Sequence, residues 1–62
     1  METLDLATVL KAERDARAIG TAHMEGLRAA AFQWIEASQS GCLNLGPGVR
    51  EALERITAAP MG

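Results

Sequence analysis

With 62 residues, among them 17 large apolar side chains and 12 alanines, the chain has material for one domain near the lower size limit of independent folding. Six basic and eight acidic residues give a net charge of −2, which argues against the broad cationic surface that nucleic-acid binding needs. No apolar run approaches the roughly 20 residues of a membrane span, the lone Cys42 excludes an internal disulfide, and no ligand cluster suggests a metal.

The first residues, Met1-Glu2-Thr3, lack the basic start and apolar core of a signal peptide, so a cytoplasmic location is expected. Five arginines against one lysine, amid abundant Ala and Gly, have the composition of a GC-rich bacterial or phage gene product. Residues 1–62 are read as a single all-α domain.

Thr3 reads as the N-cap of a first helix, with Asp5 in the first turn where negative charge suits the helix dipole. At 100° per residue, Leu6, Val9, Ala12, Ala16, Ile19, Met24, Leu27, Ala30, Ala31, Trp34 and Ile35 share one half of the helical wheel. Lys11, Arg14, Asp15, Glu25, Gln33, Glu36 and Gln39 share the other. Gly20-Thr21 is the one place where this pattern could break. The apolar stripe runs from Val9 to Trp34 without a change of phase, which predicts one continuous helix over about 4–39, roughly 54 Å long. Gly20 and Gly26 would each cost it up to about 1 kcal/mol relative to Ala.

Ser40-Gly41 reads as the stop, Gly41 being free to take the left-handed conformation. Residues 40–46 form a connection. Gly46-Pro47-Gly48 looks like a helix entry, and Leu45, Val49, Ala52, Leu53 and Ile56 make one face of a second helix over about 47–59. Glu13–Arg17 and Glu51–Arg55 are spaced as surface i, i+4 pairs. Nothing alternates with period two, so no strand is expected.

A second helix of about twelve residues folding back antiparallel covers only the last third of the first. The predicted fold is therefore a helical hairpin whose exposed stripe pairs with a second copy, making a four-helix bundle. Ordering the chain costs roughly 1.5 kcal/mol per residue, so one copy alone sits near break-even. The expected dimer interface is Leu6, Val9, Ala12, Ala16, Ile19, His23, Leu27, Ala30 and Trp34, and Val9, Ala16, His23, Ala30 and Ala37 recur every seven residues along it.

His23 lies in that stripe and reads as an interface histidine rather than half of a metal or pH-sensing pair. Cys42, beside Leu43, reads as an apolar plug under the turn. Phe32 falls on the polar face, either beneath the second helix or as an exposed anchor. Arg14, Arg17 and Arg28 line one flank of the long helix and could grip phosphates or an acidic partner. Arg14, Arg28 and Phe32 form a possible partner surface, although the interleaved Glu13, Asp15 and Glu25 favour a plain solvated ribbon. Gly46-Pro47-Gly48 lacks the glycines and the Lys-Ser or Lys-Thr of a phosphate loop. Ser38 and Ser40 have no nearby base.

No catalytic residue, cofactor site or metal site is therefore expected. The predicted function is that of a small non-enzymatic regulator binding a larger protein as a helical homodimer, in the style of inhibitors and antitoxins. That expectation rests on analogy of size and shape. An assembly subunit of a larger complex is the alternative. A DNA-binding regulator ranks below both, because Arg50 and Arg55 are balanced by Glu51 and Glu54.

Overall fold

The computed structural model describes residues 2–58, and the expected last helical residue Ala59 lies outside that range, as does the chain end Pro60-Met61-Gly62. The element order is β1 (Glu2–Leu4), α1 (Leu6–Ile19), α2 (Thr21–Gln39), β2 (Leu43–Leu45) and α3 (Val49–Ala58). The chain is mostly helical, as expected, but in three helices with a strand pair. The single helix over 4–39 does not exist.

Gly20 is the reason. Its φ of 142° and ψ of −176° lie in a region that residues with a Cβ avoid. Its N–H closes α1 by donating to the Ala16 carbonyl at 2.9 Å. Its carbonyl opens α2 by accepting from the N–H groups of His23 and Met24, both at 3.1 Å. One residue thus ends one helix, starts the next and turns the chain back. The longest principal extent is 32 Å, far short of a 36-residue rod of about 54 Å.

The unbroken apolar phase that argued for one helix is equally satisfied by two helices folded face to face. Val9 and Ala16 of α1 and Leu27 and Ala31 of α2 are all buried in one core. A stripe that folds onto itself keeps its phase on both sides of the fold.

The far ends of α1 and α2 are tied together by a strand pair. β1 and β2 run parallel, with Glu2 opposite Leu43, Thr3 opposite Asn44 and Leu4 opposite Leu45. The Gly46 N–H adds one more bond to the Leu4 carbonyl at 2.8 Å. Three-residue strands are too short for an alternation to register, although Leu43 and Leu45 do turn partly inward while Asn44 faces out.

Helix starts and stops correct several expectations. Thr3 belongs to β1, and the N-cap of α1 is Asp5, whose carboxylate Oδ1 accepts from the Thr8 N–H at 2.8 Å. Hydrogen bonding from the Thr8 side chain, and then from its backbone N–H, holds the Asp5 carboxyl below its ordinary range. A carboxyl lowered in the folded state stabilises the fold above its unfolded pKa, and that contribution is lost as pH falls through the folded value. D5A is therefore expected to lower the melting temperature at pH 7 while D5N, still an able cap, changes it little. The D5A difference should shrink on acidification below pH 4, as read by thermal denaturation followed by circular dichroism.

The end of α2 follows expectation. Gly41 takes a φ of 84°, the Cys42 N–H reaches the Ala37 carbonyl at 2.9 Å, and the Gly41 N–H reaches the Ser38 carbonyl at 3.3 Å. These two bonds make a Schellman stop. Pro47-Gly48 forms a turn closed by the Val49 N–H on the Gly46 carbonyl at 3.1 Å, so α3 starts at Val49 and not at Pro47.

α3 supplies half of the core: Val49, Ala52, Leu53 and Ile56 are buried at i, i+3, i+4 and i+7, the face that periodicity predicted. Leu4, Leu6, Ala12, Met24, Trp34, Ile35 and Leu45 pack around it, partly buried. α3 lies against both α1 and α2, so the front half of the stripe is covered by the chain's own helices.

Candidate functional site

The expected dimer interface is dispersed by the fold. Val9, Ala16 and Leu27 are buried in the chain's own core, so they are not available to a second copy. Leu6, Ala12 and Trp34 are half-buried against that core, and Ala30 is half-buried on α2. Ile19, 62% exposed, stands beside the Gly20 turn, and His23 is exposed one turn further on. A bundle of two long helices has no long helix to build on, and its geometric rationale falls with it.

Other expectations change in the same way. Cys42 is exposed, not a plug, because the Schellman stop directs the chain outward before β2 brings Leu43 and Leu45 inward. Ser38 and Ser40 hydroxyls donate to the Ile35 and Ala37 carbonyls, at 2.8 and 3.1 Å. Arg14, Arg28 and Phe32 are not one surface. Arg28 and Phe32 are on α2, where the Arg28 Nε donates to the Thr57 carbonyl at 3.1 Å and its guanidinium lies 5.9 Å from the Phe32 ring centroid. Phe32 is 51% exposed, which decides against burial beneath α3. Arg14 lies elsewhere, on the α1 face that borders α3.

That border holds the most developed polar feature among the described residues. Glu13, expected as a surface charge, is only 8% exposed. Its Oε2 accepts from Arg17 Nη2 at 3.1 Å, and its Oε1 accepts from Arg55 Nη2 at 2.7 Å. The Glu13–Arg17 pair was readable from spacing. The Arg55 contact was not: Arg55 was expected to pair with Glu51, but it reaches 42 residues back to Glu13, while Arg50 takes Glu54 at 3.3 Å. Helical spacing identifies possible partners on one helix and is blind to a carboxylate offered by another.

Both arginine side chains remain more than half exposed. Glu13 thus uses its two oxygens to hold two guanidiniums in place while most of their N–H donors still face water. Arg14 joins them at the same hollow, lined by Leu10, Glu13, Arg14, Arg17 and Arg55. Among the described residues Arg14 makes no ion pair.

A second hollow adjoins the first along α1 and α3, lined by Leu6, Leu10, Gly48, Glu51, Ala52 and Arg55. Leu10 and Arg55 belong to both. The two together make a shallow groove, apolar around Leu6, Leu10 and Ala52 at one end and cationic at the other. Leu10 is 42% exposed at its middle. The sequence places Leu10 among the residues that the second helix leaves uncovered, but only the position of α3 shows that it fronts a groove.

Among the described residues no group of three His, Cys, Asp or Glu side chains is placed to hold a metal ion. No helix among them is long and apolar enough to cross a membrane. Compared with models of protein families, with curated proteins and with solved structures, the chain matches none of them.

Proposed function

We propose that this protein is a small non-enzymatic regulator that acts by binding a larger protein through the groove between α1 and α3. The observation that carries this reading is the Glu13 arrangement: one nearly buried carboxylate positions two largely exposed arginines beside a third, next to an exposed leucine. Folding needs cationic partners for the nearly buried Glu13 carboxylate. The same contacts leave two guanidiniums held in place at the surface with most of their donors facing water. Ordering them beforehand lowers the entropy lost when a partner is bound.

Self-pairing keeps a smaller place in this reading. The chain covers most of the apolar stripe itself, with Val9, Ala16, Leu27 and Ala31 in its own core. Apart from Leu10 in the groove, Ile19 and Phe32 are the exposed large apolar side chains among the described residues, few for the apolar core of a homodimer interface.

An assembly subunit is the second reading, favoured by one feature. β1 and β2 form a two-stranded sheet, so each has an outer edge without a backbone partner among the described residues. Such an edge accepts a strand from another chain. DNA binding gains nothing, because Arg50 and Arg55 share α3 with Glu51 and Glu54, which leaves that helix without net positive charge.

The test is affinity capture of the tagged protein from the cells that make it, followed by reconstitution with the purified captured protein. A stoichiometric complex that the charge-reversed variant R14E loses while melting at the wild-type temperature supports the regulator reading. A complex lost instead on blocking the outer strand edges supports the assembly reading. Failure to bind any protein at micromolar concentration overturns both.

A further inference from the structure

The groove also carries information about what enters it. We infer that its occupant is an acidic amphipathic segment of the partner protein, with an apolar side chain on Leu6 and Leu10 and carboxylates at Arg14, Arg17 and Arg55. This rests on the regulator reading and adds the chemistry of the partner to it.

Charge complementarity selects the occupant. The cationic end holds three arginines and one carboxylate, a local charge of +2 in a chain whose total is −2. Both oxygens of Glu13 are already engaged, so the remaining donors of Arg17 and Arg55 and all of those of Arg14 have no acceptor in an ion pair among the described residues. Planar guanidiniums bind carboxylates in pairs of parallel hydrogen bonds, and those bonds are about twice as strong as neutral ones.

The other end of the groove selects against a polyanion. Leu6, Leu10 and Ala52 offer nothing to a phosphate, and Glu51 at their rim repels one. A nucleic-acid backbone requires a continuous cationic track, whereas the cations lining the groove are confined to the three arginines at one end. A peptide with apolar and acidic residues on one face matches both ends. Helix-in-groove recognition has this form.

The three arginines differ in what they do for the fold, and that separates binding from folding. Arg14 makes no ion pair among the described residues, so R14Q removes a partner contact without removing an internal one. Arg55 bridges α3 to α1, so R55Q alters both.

The probe is a synthetic, fluorophore-labelled 15-residue helix with leucines at i and i+4 and glutamates on the following two turns of the same face. Its companions are the same peptide with Gln for Glu and a 15-nucleotide oligo(dT). Fluorescence anisotropy is read at low and at high salt. The Glu peptide is expected to bind, with affinity falling about 10-fold for R14Q and at least as much for the Gln peptide. L10A should weaken the Glu and Gln peptides alike, since it removes only the apolar contact. R14Q should melt at the wild-type temperature.

Equal binding of the Glu and Gln peptides overturns the proposal, as does tighter binding of the oligonucleotide. Concentration-dependent self-association that R14Q abolishes also overturns it, because the occupant is then a second copy. If the acidic peptide fails while the intact protein still captures a stoichiometric partner, the inferred chemistry falls and the regulator reading stands. If neither binds, both fall.

Discussion

Leu53→Ala is expected to unfold the protein, or to leave it marginally folded at room temperature. Leu53 is completely buried and is the largest of the fully buried side chains, with Ile56, Val9 and Val49. Truncating a leucine in such a site costs about 2–5 kcal/mol, through lost transfer free energy and the cavity left behind. A chain of this length has about 3–9 kcal/mol of total stability to lose. The eight-residue core has little slack to collapse into the space, because three of its members are already alanine. Chemical denaturation followed by Trp34 fluorescence reads the loss directly. L10A is the matched control, expected to change stability by less than about 1 kcal/mol because Leu10 stands partly in solvent. If L53A and L10A proved equally mild, α3 would not be packed as described.

Replacing Gly20 by alanine is expected to destabilise the three-helix fold by about 1–3 kcal/mol. No atom lies within 4 Å of where the new Cβ would stand, so the penalty comes from the backbone conformation and not from a clash. The substitution also acts on the alternative state. Alanine favours helix over glycine by about 1 kcal/mol, so G20A promotes the continuous rod that the apolar phase allows. An elongated, self-associating species is the expected product at high concentration, since the rod exposes Val9 and Ala16 again.

Two companions separate these causes. Gly26 lies within α2, also with no atom within 4 Å of a Cβ, and G26A should stabilise by about 0.5–1 kcal/mol. D-alanine at position 20, introduced by chemical synthesis, places the mirror conformation in ordinary extended space and should preserve the fold. The opposite signs at two glycines of one apparent helix are the signature of the turn. Equal signs at both would argue for an unbroken helix.

The parts of the fold that the sequence revealed were those set by local rules. The face of α3 follows from Val49, Ala52, Leu53 and Ile56 at helical spacing. The stop of α2 follows from Gly41. What it concealed depends on choices between compatible alternatives. The phase from Val9 to Trp34 suits one straight helix and two folded ones, and the decision rests on a single φ at Gly20. Two strands of three residues each leave no period to detect, and they become strands only because the turn brings Leu4 beside Leu45.

The groove was legible in fragments. Glu13 and Arg17 were paired correctly by spacing, but both were assigned to plain surface. Spacing alone points Arg55 to the nearer carboxylate, Glu51. Its use of Glu13 depends on α3 lying parallel to α1, which in turn depends on the strand pair. The grouping of Arg14 with Arg28 and Phe32 holds only on a straight helix, because α1 and α2 part at Gly20. The company of Arg14 with Arg17, one turn apart on the same helix, is legible in the sequence, and only the addition of Arg55 from α3 needs the fold.

Small-angle scattering combined with the mass in solution tests the central claim most directly. A chain that turns back at Gly20 should scatter as a 6.6 kDa particle with a Cα radius of gyration near 11.2 Å and a longest principal extent near 32 Å. A particle of twice that mass with a rod-like dimension of about 54 Å would contradict the turn, the closed core and the groove together.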